Sequence, residues 1–291
     1  MPRYNPSHLE RPSTLKEAVQ VLKKWGPKAR IVAGNTTVYE LANQGGMDDV
    51  ETIIDVSSLG LNYVTRDGHY LHLGSMTRFA ELETSDIQET DSNFAVKETA
   101  MKLTPPQIRN MATIGGSVCS GIPFYDIPVT LLAQDAEFHV ASSNGERKVH
   151  AQDFFIDYFM TSVSSEEMLI EIRCPERTRA GSAFLKLGRT SADFAVVNSS
   201  VMIAFEPKGK YVSDARIALG AVASTPIRMK AAEEFLVGKE PLKENLMKTA
   251  SLCGKIEPTP SFHASSEYKK RVIPIIVRDT LYAAVKRTNR T

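Results

Sequence analysis

The order of predicted strands and helices limits the folds open to this chain. Near the N-terminus a β-branched run at 30–33 leads through Gly34 into helical spacing at 36–42, and a second β-rich run follows at 52–56. The last third instead has three strand-like runs and then three helical segments, at 183–187, 196–205, 215–222, 226–236, 241–253 and 265–286. Strands followed by helices, without strict alternation, are typical of α+β architecture. We therefore predict a βαβ-like N-terminal portion and a C-terminal three-stranded antiparallel sheet with a helix bundle.

A second group of patterns lies between these two regions. The turn residues Asp67-Gly68 stand inside a hairpin pattern that ends at residue 74, and Pro105-Pro106 ends a helical pattern at 91–102. Because 112–126 contains three glycines and a proline, we expect it to be a loop with a constrained backbone. Further helices are predicted at 15–25, 77–84 and 127–134, and further strands at 137–142 and 168–173.

Three local signals set expected boundaries. Thr14 and Glu17 have the spacing of a capping box for the first helix. The polar segment 174–182 contains proline and glycine and is the predicted linker between two domains. Pro274 is expected to kink or interrupt the last helix, because proline removes a backbone donor.

Length and charge narrow the class of protein. At 291 residues the chain has room for about two domains of ~150 residues each. Its net charge of +1 gives no general reason to expect nucleic acid or an anionic membrane as a partner. The apolar runs are too short for a membrane span, and no secretory signal pattern follows Met1, so we expect a cytoplasmic protein. Cys119, Cys174 and Cys253 are too few for a disulfide framework or a four-cysteine cluster.

Gly34 follows the first predicted strand, and Thr36 and Thr37 begin the helix behind it. Glycine lets a ligand oxygen approach the backbone, and the first turn of a helix offers amide donors without partners in the helix. With hydroxyls beside them, these donors suit a diphosphate. The same residues also fit a strand-to-helix turn with a threonine cap and no ligand, so both interpretations stay open at this point.

The segment 112–126 is the second glycine-bearing candidate. Its paired glycines at 115–116, flanked by hydroxyl side chains, would free backbone amides to form an anion-binding concavity. Asp126 needs a different role because a carboxylate repels a phosphate. It is expected to accept hydrogen bonds from sugar hydroxyls, or else to cap the helix that begins at Ile127.

These two segments, together with 184–197 and 219–228, resemble the FAD-binding medium subunit of the molybdenum hydroxylases. That family includes xanthine dehydrogenase and aerobic carbon monoxide dehydrogenase. The likeness rests on Ala-Thr-Ile-Gly-Gly at 112–116, with Pro123 and Asp126 after it, and covers nearly the whole chain. It implies a two-part PCMH (vanillyl-alcohol-oxidase-type) FAD-binding domain at 1–176, followed by a carbon monoxide dehydrogenase flavoprotein C-terminal-like domain at 177–291.

The resemblance also implies a noncovalent FAD and assigns residues to it. Two groups would embrace the diphosphate, namely Ala33, Gly34, Asn35, Thr36 and Thr37, and Thr113, Ile114, Gly115, Gly116 and Ser117. Asp126 would hold the adenosine or ribityl side, and Leu103 would pack nearby. Lys186 would lie near the flavin end, unless it is an exposed strand lysine. Asn35, Thr37 and Ser117 depart from the commonest residues of the family but keep hydrogen-bonding capacity.

The implied function is electron transfer within a complex. Molybdopterin and 2Fe-2S clusters are expected on a large and a small partner subunit only, and electrons would leave this chain for NAD or another acceptor. One alternative is a self-sufficient FAD-dependent oxidase or reductase of the same flavin fold, which needs an acid or base over the flavin. We find no convincing set of residues for that role. A second alternative is a nucleotide-binding assembly module without redox activity.

Other candidate residues carry weaker signals. His69 and His72 are expected on opposite faces of a strand, which disfavours a shared metal. Arg189 and Asp193 predict a structural ion pair, and the basic run 269–271 predicts a solvated helix face. A covalent flavin link through Cys119 stays open because this cysteine lies in the glycine segment.

Overall fold

The N-terminal portion is a small parallel sheet with helices beside it. The computed structural model describes residues 6–103 and 105–288. Its first elements are β1 (His8–Glu10), α1 (Leu15–Trp25), β2 (Ala29–Val32), α2 (Thr36–Asn43) and β3 (Thr52–Asp55). The strand order β1-β3-β2, all parallel, confirms the predicted βαβ unit. Thr14 caps α1 by accepting from the Glu17 amide, whereas the Glu17 carboxylate binds Ser13 instead of completing the capping box.

A five-stranded antiparallel sheet follows, with the strand order β4-β5-β10-β6-β7. The elements of this region are β4 (Val64–Arg66), β5 (Tyr70–Gly74), α3 (Phe79–Thr84), α4 (Phe94–Lys102), α5 (Pro106–Met111), α6 (Ile114–Cys119), α7 (Ile127–Ala133), β6 (Glu137–Ser142), β7 (Gly145–His150), α8 (Ala151–Phe154), β8 (Phe155–Asp157), β9 (Met160–Thr161) and β10 (Met168–Pro175). Phe138 and Ile172 belong to the main core with α7. Met168 and Ile170 instead pack with residues of α1 and β3, so the sheet is covered on both faces.

The C-terminal portion is an antiparallel sheet with helices after it. Its elements are β11 (Ala180–Leu187), β12 (Val197–Phe205), β13 (Val212–Gly220), β14 (Ile227–Arg228), α9 (Lys230–Leu236), α10 (Lys243–Cys253) and α11 (Ser266–Arg287). The strand order β11-β12-β13-β14 adds a fourth strand to the predicted three, one too short for an alternating pattern to reveal. The α+β fold class is confirmed. The predicted boundary between 176 and 177 falls between β10 and β11 and stays a prediction.

Two local predictions are wrong, and a third is wrong in part. The segment 112–126 is not all loop, because Thr113 caps α6 by accepting the Gly116 amide. The linker 174–182 shrinks to 176–179, because β10 and β11 extend into it from both sides. The helix α11 is not interrupted at Pro274, and the expected kink there stays a prediction. The Pro274 ring packs beside Gly254, where a Cβ would collide with it. None of the helices in 6–103 and 105–288 has the length and apolar character needed to cross a membrane.

The basic run 269–271 is also not a uniformly solvated face. Lys269 is 1% exposed, and its Nζ donates to the carbonyls of Ala221 at 2.6 Å and Thr259 at 2.9 Å. Burial lowers the pKa of this lysine. Lys270 and Arg271 are exposed, as predicted. Lys269 therefore ties α11 to the segment that follows β13.

A carboxylate joins α4, β11 and α11. Arg287 donates to both oxygens of Glu98 at 2.7 and 2.8 Å, and Glu98 also accepts from the Phe184 amide at 2.7 Å. Both charged side chains are mostly buried. This contact fastens the C-terminal helix and sheet to the region that precedes them.

We expect Arg287→Met to lower the free energy of unfolding by about 2 kcal/mol, because Glu98 would keep a buried charge without its cation. Urea denaturation measures the loss. The matched variant Arg278→Met removes a more exposed pair with Asp279 and should cost less than about 1 kcal/mol. Equal losses in the two variants would contradict a special role for the Arg287–Glu98 pair.

Candidate cofactor site

One large cavity lies where both glycine-bearing segments meet the C-terminal sheet. Its volume is about 630 Å³. The predicted site residues that line it are Ala33, Gly34, Asn35, Thr36, Thr37, Leu103, Thr113, Gly115, Gly116, Ser117, Asp126 and Lys186. Ile114 is the exception, because its side chain is fully buried in the main core. The fold thus brings residues from distant parts of the chain to one cavity.

The β2–α2 turn leads into the first backbone amides of α2. Within the described ranges, the amides of Thr36, Thr37 and Val38 find no acceptor. Asn35 has a φ of 59°, a left-handed conformation that asparagine adopts more readily than most residues. Gly34 serves close packing, because a Cβ there would lie 1.9 Å from the Met111 carbonyl oxygen. The turn therefore combines free donors with a tight contact to the chain between α5 and α6.

The second segment differs from the expected concavity of free amides. The amide of Ile114 donates to Thr77 at 2.9 Å, and that of Gly115 donates to Ser75 at 2.9 Å. The amide of Gly116 donates to Thr113 Oγ1 at 3.1 Å. These donors are used by the fold, so the expectation of free amides here is wrong. Gly116 is exposed and lines the cavity, and because it has no side chain it occupies little of the cavity's space.

Asp126 and Lys186 form an ion pair at the cavity. Lys186 Nζ lies 2.8 Å from Asp126 Oδ2, with side-chain exposures of 8% for the lysine and 12% for the aspartate. Asn198 Nδ2 donates to the other oxygen, Oδ1, at 2.8 Å. Burial raises the pKa of Asp126, and the charge of Lys186 opposes that effect. Neither the exposed-lysine alternative nor the helix-cap alternative holds, since the Lys186 side chain is only 8% exposed and Asp126 caps no amide of α7.

An aromatic group at the cavity was missed by the sequence reasoning. The hydroxyl oxygens of Tyr125 and Thr37 are 3.0 Å apart, and the Tyr125 ring stacks on Phe194 at a centroid distance of 5.8 Å. Phe194 also touches Phe124, and burial raises the pKa of Tyr125. The signal was present, because Tyr125 precedes Asp126 and Phe194 follows Asp193 in the motifs that carry the resemblance. Residues 161, 163–165 and 167–169 also line the cavity and had no local signal.

The residues with weaker sequence signals are a histidine, an ion pair and a cysteine. His72 lies 3.1 Å from both Asp67 and Glu171, and the described part of the chain holds no group of three metal-ligating side chains. The predicted Arg189–Asp193 ion pair is confirmed at 3.2 Å. Cys119 lines the cavity, and its thiol forms no disulfide.

Comparison with known proteins identifies the family of this chain. Residues 5–177 match the FAD-binding domain in molybdopterin dehydrogenase, and residues 182–284 match the carbon monoxide dehydrogenase flavoprotein C-terminal domain. The chain belongs to the FAD-binding medium subunits of the molybdenum hydroxylases. This confirms the family predicted from the motifs, and with it an FAD-binding domain in a subunit of an oxidoreductase complex.

Individual relatives match along almost their full length. The chain is 29% identical to subunit alpha of the 6-hydroxypseudooxynicotine dehydrogenase complex of Paenarthrobacter nicotinovorans, covering 96% of this chain and 94% of the relative. It is 31% identical to the carbon monoxide dehydrogenase medium chain of Hydrogenophaga pseudoflava, covering 94% and 95%. The solved carbon monoxide dehydrogenase of that organism matches with a TM-score of 0.91, at 31% identity, over 98% of this chain and 99% of the other.

Proposed function

We propose that this chain is the electron-transfer subunit of its complex, with noncovalent FAD in the 630 Å³ cavity. Electrons would come from a 2Fe-2S cluster on a small partner and leave for NAD or another acceptor. Substrate oxidation would take place at molybdopterin on a large partner. The observation that carries this proposal is one cavity that joins the first amides of α2, for which the described residues offer no acceptor, to a lysine–aspartate pair with mostly buried side chains.

The donors of the cavity fit FAD. The free amides and hydroxyls of Thr36 and Thr37 suit the diphosphate, since unpaired amides at a helix N-terminus bind anions. Asp126 would accept from hydroxyls of the cofactor. Asp126 contacts Lys186, which is expected near the flavin end of the cofactor. This contact favours a position of Asp126 on the ribityl side of FAD over one on the adenosine side. The remaining predicted site residues, Ala33, Gly34, Asn35, Leu103, Thr113, Gly115, Gly116 and Ser117, would form the walls.

FAD, when bound, supplies the one- and two-electron redox chemistry that a relay needs. The protein provides position and charge. Lys186 is held by Asp126 at 2.8 Å and by the Lys102 carbonyl at 3.2 Å, so its ammonium is a fixed cation in a mostly buried place. A fixed cation stabilises negative charge that develops nearby without further reorganisation. The rings of Tyr125 and Phe194 would shield that region from water.

A self-sufficient oxidase fits the cavity less well. A general base has to be able to take up a proton from the substrate, but three of the four carboxylates that line the cavity are held in ion pairs, and the fourth, Glu40, is exposed to solvent. Glu167 pairs with Arg147, whose contact lowers the pKa of Glu167 to about 2. Asp193 pairs with Arg189 and Asp126 with Lys186. These pairs favour a relay over an enzyme that oxidises an organic substrate alone.

The test is stopped-flow measurement of flavin absorbance with the substrate of the complex. Alone, the chain should not be bleached by a purine, an aldehyde or an N-heterocycle at a useful rate. Together with the iron-sulfur and molybdopterin subunits, it should be. Rapid bleaching of the metal-free chain would instead support the self-sufficient oxidase. A purified complex in which this chain carries no dithionite-bleachable flavin would support the assembly module.

We expect Tyr125→Phe to raise the FAD dissociation constant about fivefold, which corresponds to about 1 kcal/mol. The hydroxyls of Tyr125 and Thr37 are close enough to donate together to one phosphate group. The phenylalanine keeps the ring and removes only the donor. Titration of the FAD-free complex with FAD measures the change, and Tyr282→Phe on the exposed face of α11 is the control. Equal affinities of the two variants would exclude the Tyr125 hydroxyl as a contact.

A further inference from the structure

Asn198 occupies the middle of a row of residues that crosses the C-terminal sheet. Its direct cross-strand neighbours are Lys186 on β11 and Gly220 on β13. Its fully buried amide donates through Nδ2 to Asp126 Oδ1 at 2.8 Å, while Lys186 binds Asp126 Oδ2 at 2.8 Å. Each oxygen of one cavity carboxylate is therefore held by a side chain of the C-terminal sheet.

The neighbouring strand packs closely against the Asn198 side chain. A Cβ at Gly220 would lie 2.3 Å from Asn198 Oδ1 and 2.2 Å from Val129 Cγ2, so only glycine leaves room there. Asn198 Oδ1 itself is buried and, in the part of the chain that the structure describes, has no hydrogen-bond partner. A buried carbonyl without a donor costs stability that an apolar side chain of the same size would not. An asparagine here therefore supplies an amide donor and leaves its own carbonyl unpaired; the same donor lies 3.5 Å from the Tyr125 carbonyl oxygen.

We propose that Asn198 is a positioning residue for the cofactor site, which orients the Asp126 carboxylate toward the cavity from the C-terminal domain. This inference rests on the proposed function, since it assumes that the cavity binds FAD. Asp126 lies at the start of α7, in the predicted FAD-binding domain. Asn198 and Lys186 lie in the predicted C-terminal domain, so the second domain completes a site whose phosphate-binding turn belongs to the first.

The amide also helps to keep Asp126 charged. Burial raises the pKa of this carboxyl, whereas Lys186 and the Asn198 hydrogen bond lower it. The remainder of α7 has no titratable side chain, and β13 contributes only glycine at this point. Among titratable groups, Lys186 on β11 pairs with Asp126, and Tyr125 precedes Asp126 in the chain; Lys102 on α4 contributes its backbone carbonyl, which accepts from Lys186. Without the amide, burial is opposed mainly by Lys186, so Asp126 would take up a proton at higher pH.

Two substitutions separate positioning from simple packing. In Asn198→Asp, two carboxylates face each other at neutral pH and the amide donor is lost. At acid pH one proton is shared between them, so a hydrogen bond to Asp126 forms again. In Asn198→Leu no donor returns at any pH, and protonation of Asp126 removes more of its interaction as the pH falls. The two variants should therefore respond to pH in opposite directions.

The experiment titrates the FAD-free complex that contains this chain with FAD, from about pH 8 to about pH 5.5. We expect Asn198→Asp to raise the dissociation constant more than about tenfold over wild type at pH ~8, and less than about threefold at pH ~5.5. For Asn198→Leu the ratio should stay level or grow toward acid pH. Asn245→Asp is the matched control, because the Asn245 amide donates to the Glu240 carbonyl at 2.8 Å away from the cavity.

Each outcome decides a separate point. Wild-type affinity in both Asn198 variants, or a loss in Asn198→Asp that acid does not restore, overturns the positioning role. A wild-type complex in which this chain binds no FAD overturns the proposed function instead. If Asn198→Asp does not fold, Asn198→Ser replaces it, because its short hydroxyl cannot reach Asp126. That variant should weaken FAD binding and move the acid limb of the binding curve to higher pH, and unchanged binding would overturn the proposal.

Discussion

Gly34→Ala is expected to abolish FAD retention. A Cβ at residue 34 would lie 1.9 Å from the Met111 carbonyl oxygen and 2.9 Å from Ala112 Cα. Both obstacles are backbone, so the β2–α2 turn would have to move away from the chain between α5 and α6. These segments form two walls of the cavity, and the free amides of Thr36 and Thr37 would move with the turn. The overpacking should also cost about 1–3 kcal/mol of unfolding free energy.

The flavin content of the purified complex measures this effect. Gly46→Ala is the matched control, because it adds the same methyl group in the same region at a position where the nearest atom, the Leu41 carbonyl oxygen, is 3.4 Å away. That variant should keep its flavin. If the Gly34→Ala complex is folded and fully loaded with FAD, the placement of the diphosphate at the β2–α2 turn is wrong.

Lys186→Met is expected to lower the free energy of unfolding by about 3–5 kcal/mol at neutral pH, because Asp126 would be left as a buried charge without its cation. The loss should depend on pH. Burial raises the folded-state pKa of Asp126, and loss of the lysine raises it further. An acid with a raised folded-state pKa destabilises the fold fully above that pKa, and the effect shrinks as the pH falls from there toward the unfolded-state pKa. The loss should therefore be largest at alkaline pH and shrink as the pH falls.

Urea denaturation at about pH 8 and about pH 5 checks both the size and the sign. Lys210→Met is the matched control, since Lys210 is 56% exposed and pairs with Glu240 at 3.2 Å, so its loss should cost less than about 1 kcal/mol. The double variant Lys186→Met/Asp126→Leu should be more stable than Lys186→Met alone, because no buried charge remains. A loss that is small, or equal at both pH values, would contradict a buried ion pair at this position.

The sequence predicted the fold best where local pattern and tertiary packing agree. The β-branched run at 30–33 and the apolar run at 196–205 match β2 and β12 within one or two residues. The helix α6 was missed because its two glycines have low helix propensity. Its first turn is stabilised from outside, by Thr77 and Ser75, which accept the amides of Ile114 and Gly115. Such support comes from residues far away in the sequence, and local patterns do not reveal it.

In the candidate site too, local sequence predicted some features, and others depend on tertiary contacts. The β2–α2 turn was predicted from its own residues, because the amides of a helix N-terminus are a property of the local backbone. The contacts of Asp126 with Lys186 and Asn198 depend on how β11 and β12 are aligned with each other and with α7. The Thr37–Tyr125 contact depends on two segments meeting across the cavity. Asp126 and Lys186 were both predicted as site residues, although their contact was not, whereas Asn198 and Tyr125 were identified only from the fold.

The identity of the flavin released by acid precipitation tests the central claim most directly. We expect the complex that contains this chain to release FAD into the supernatant, one molecule for each copy of this chain, and to leave a colourless pellet. FMN in the supernatant, or flavin that stays in the pellet with this chain through a covalent link, would contradict noncovalent FAD in the cavity between the β2–α2 turn and Lys186.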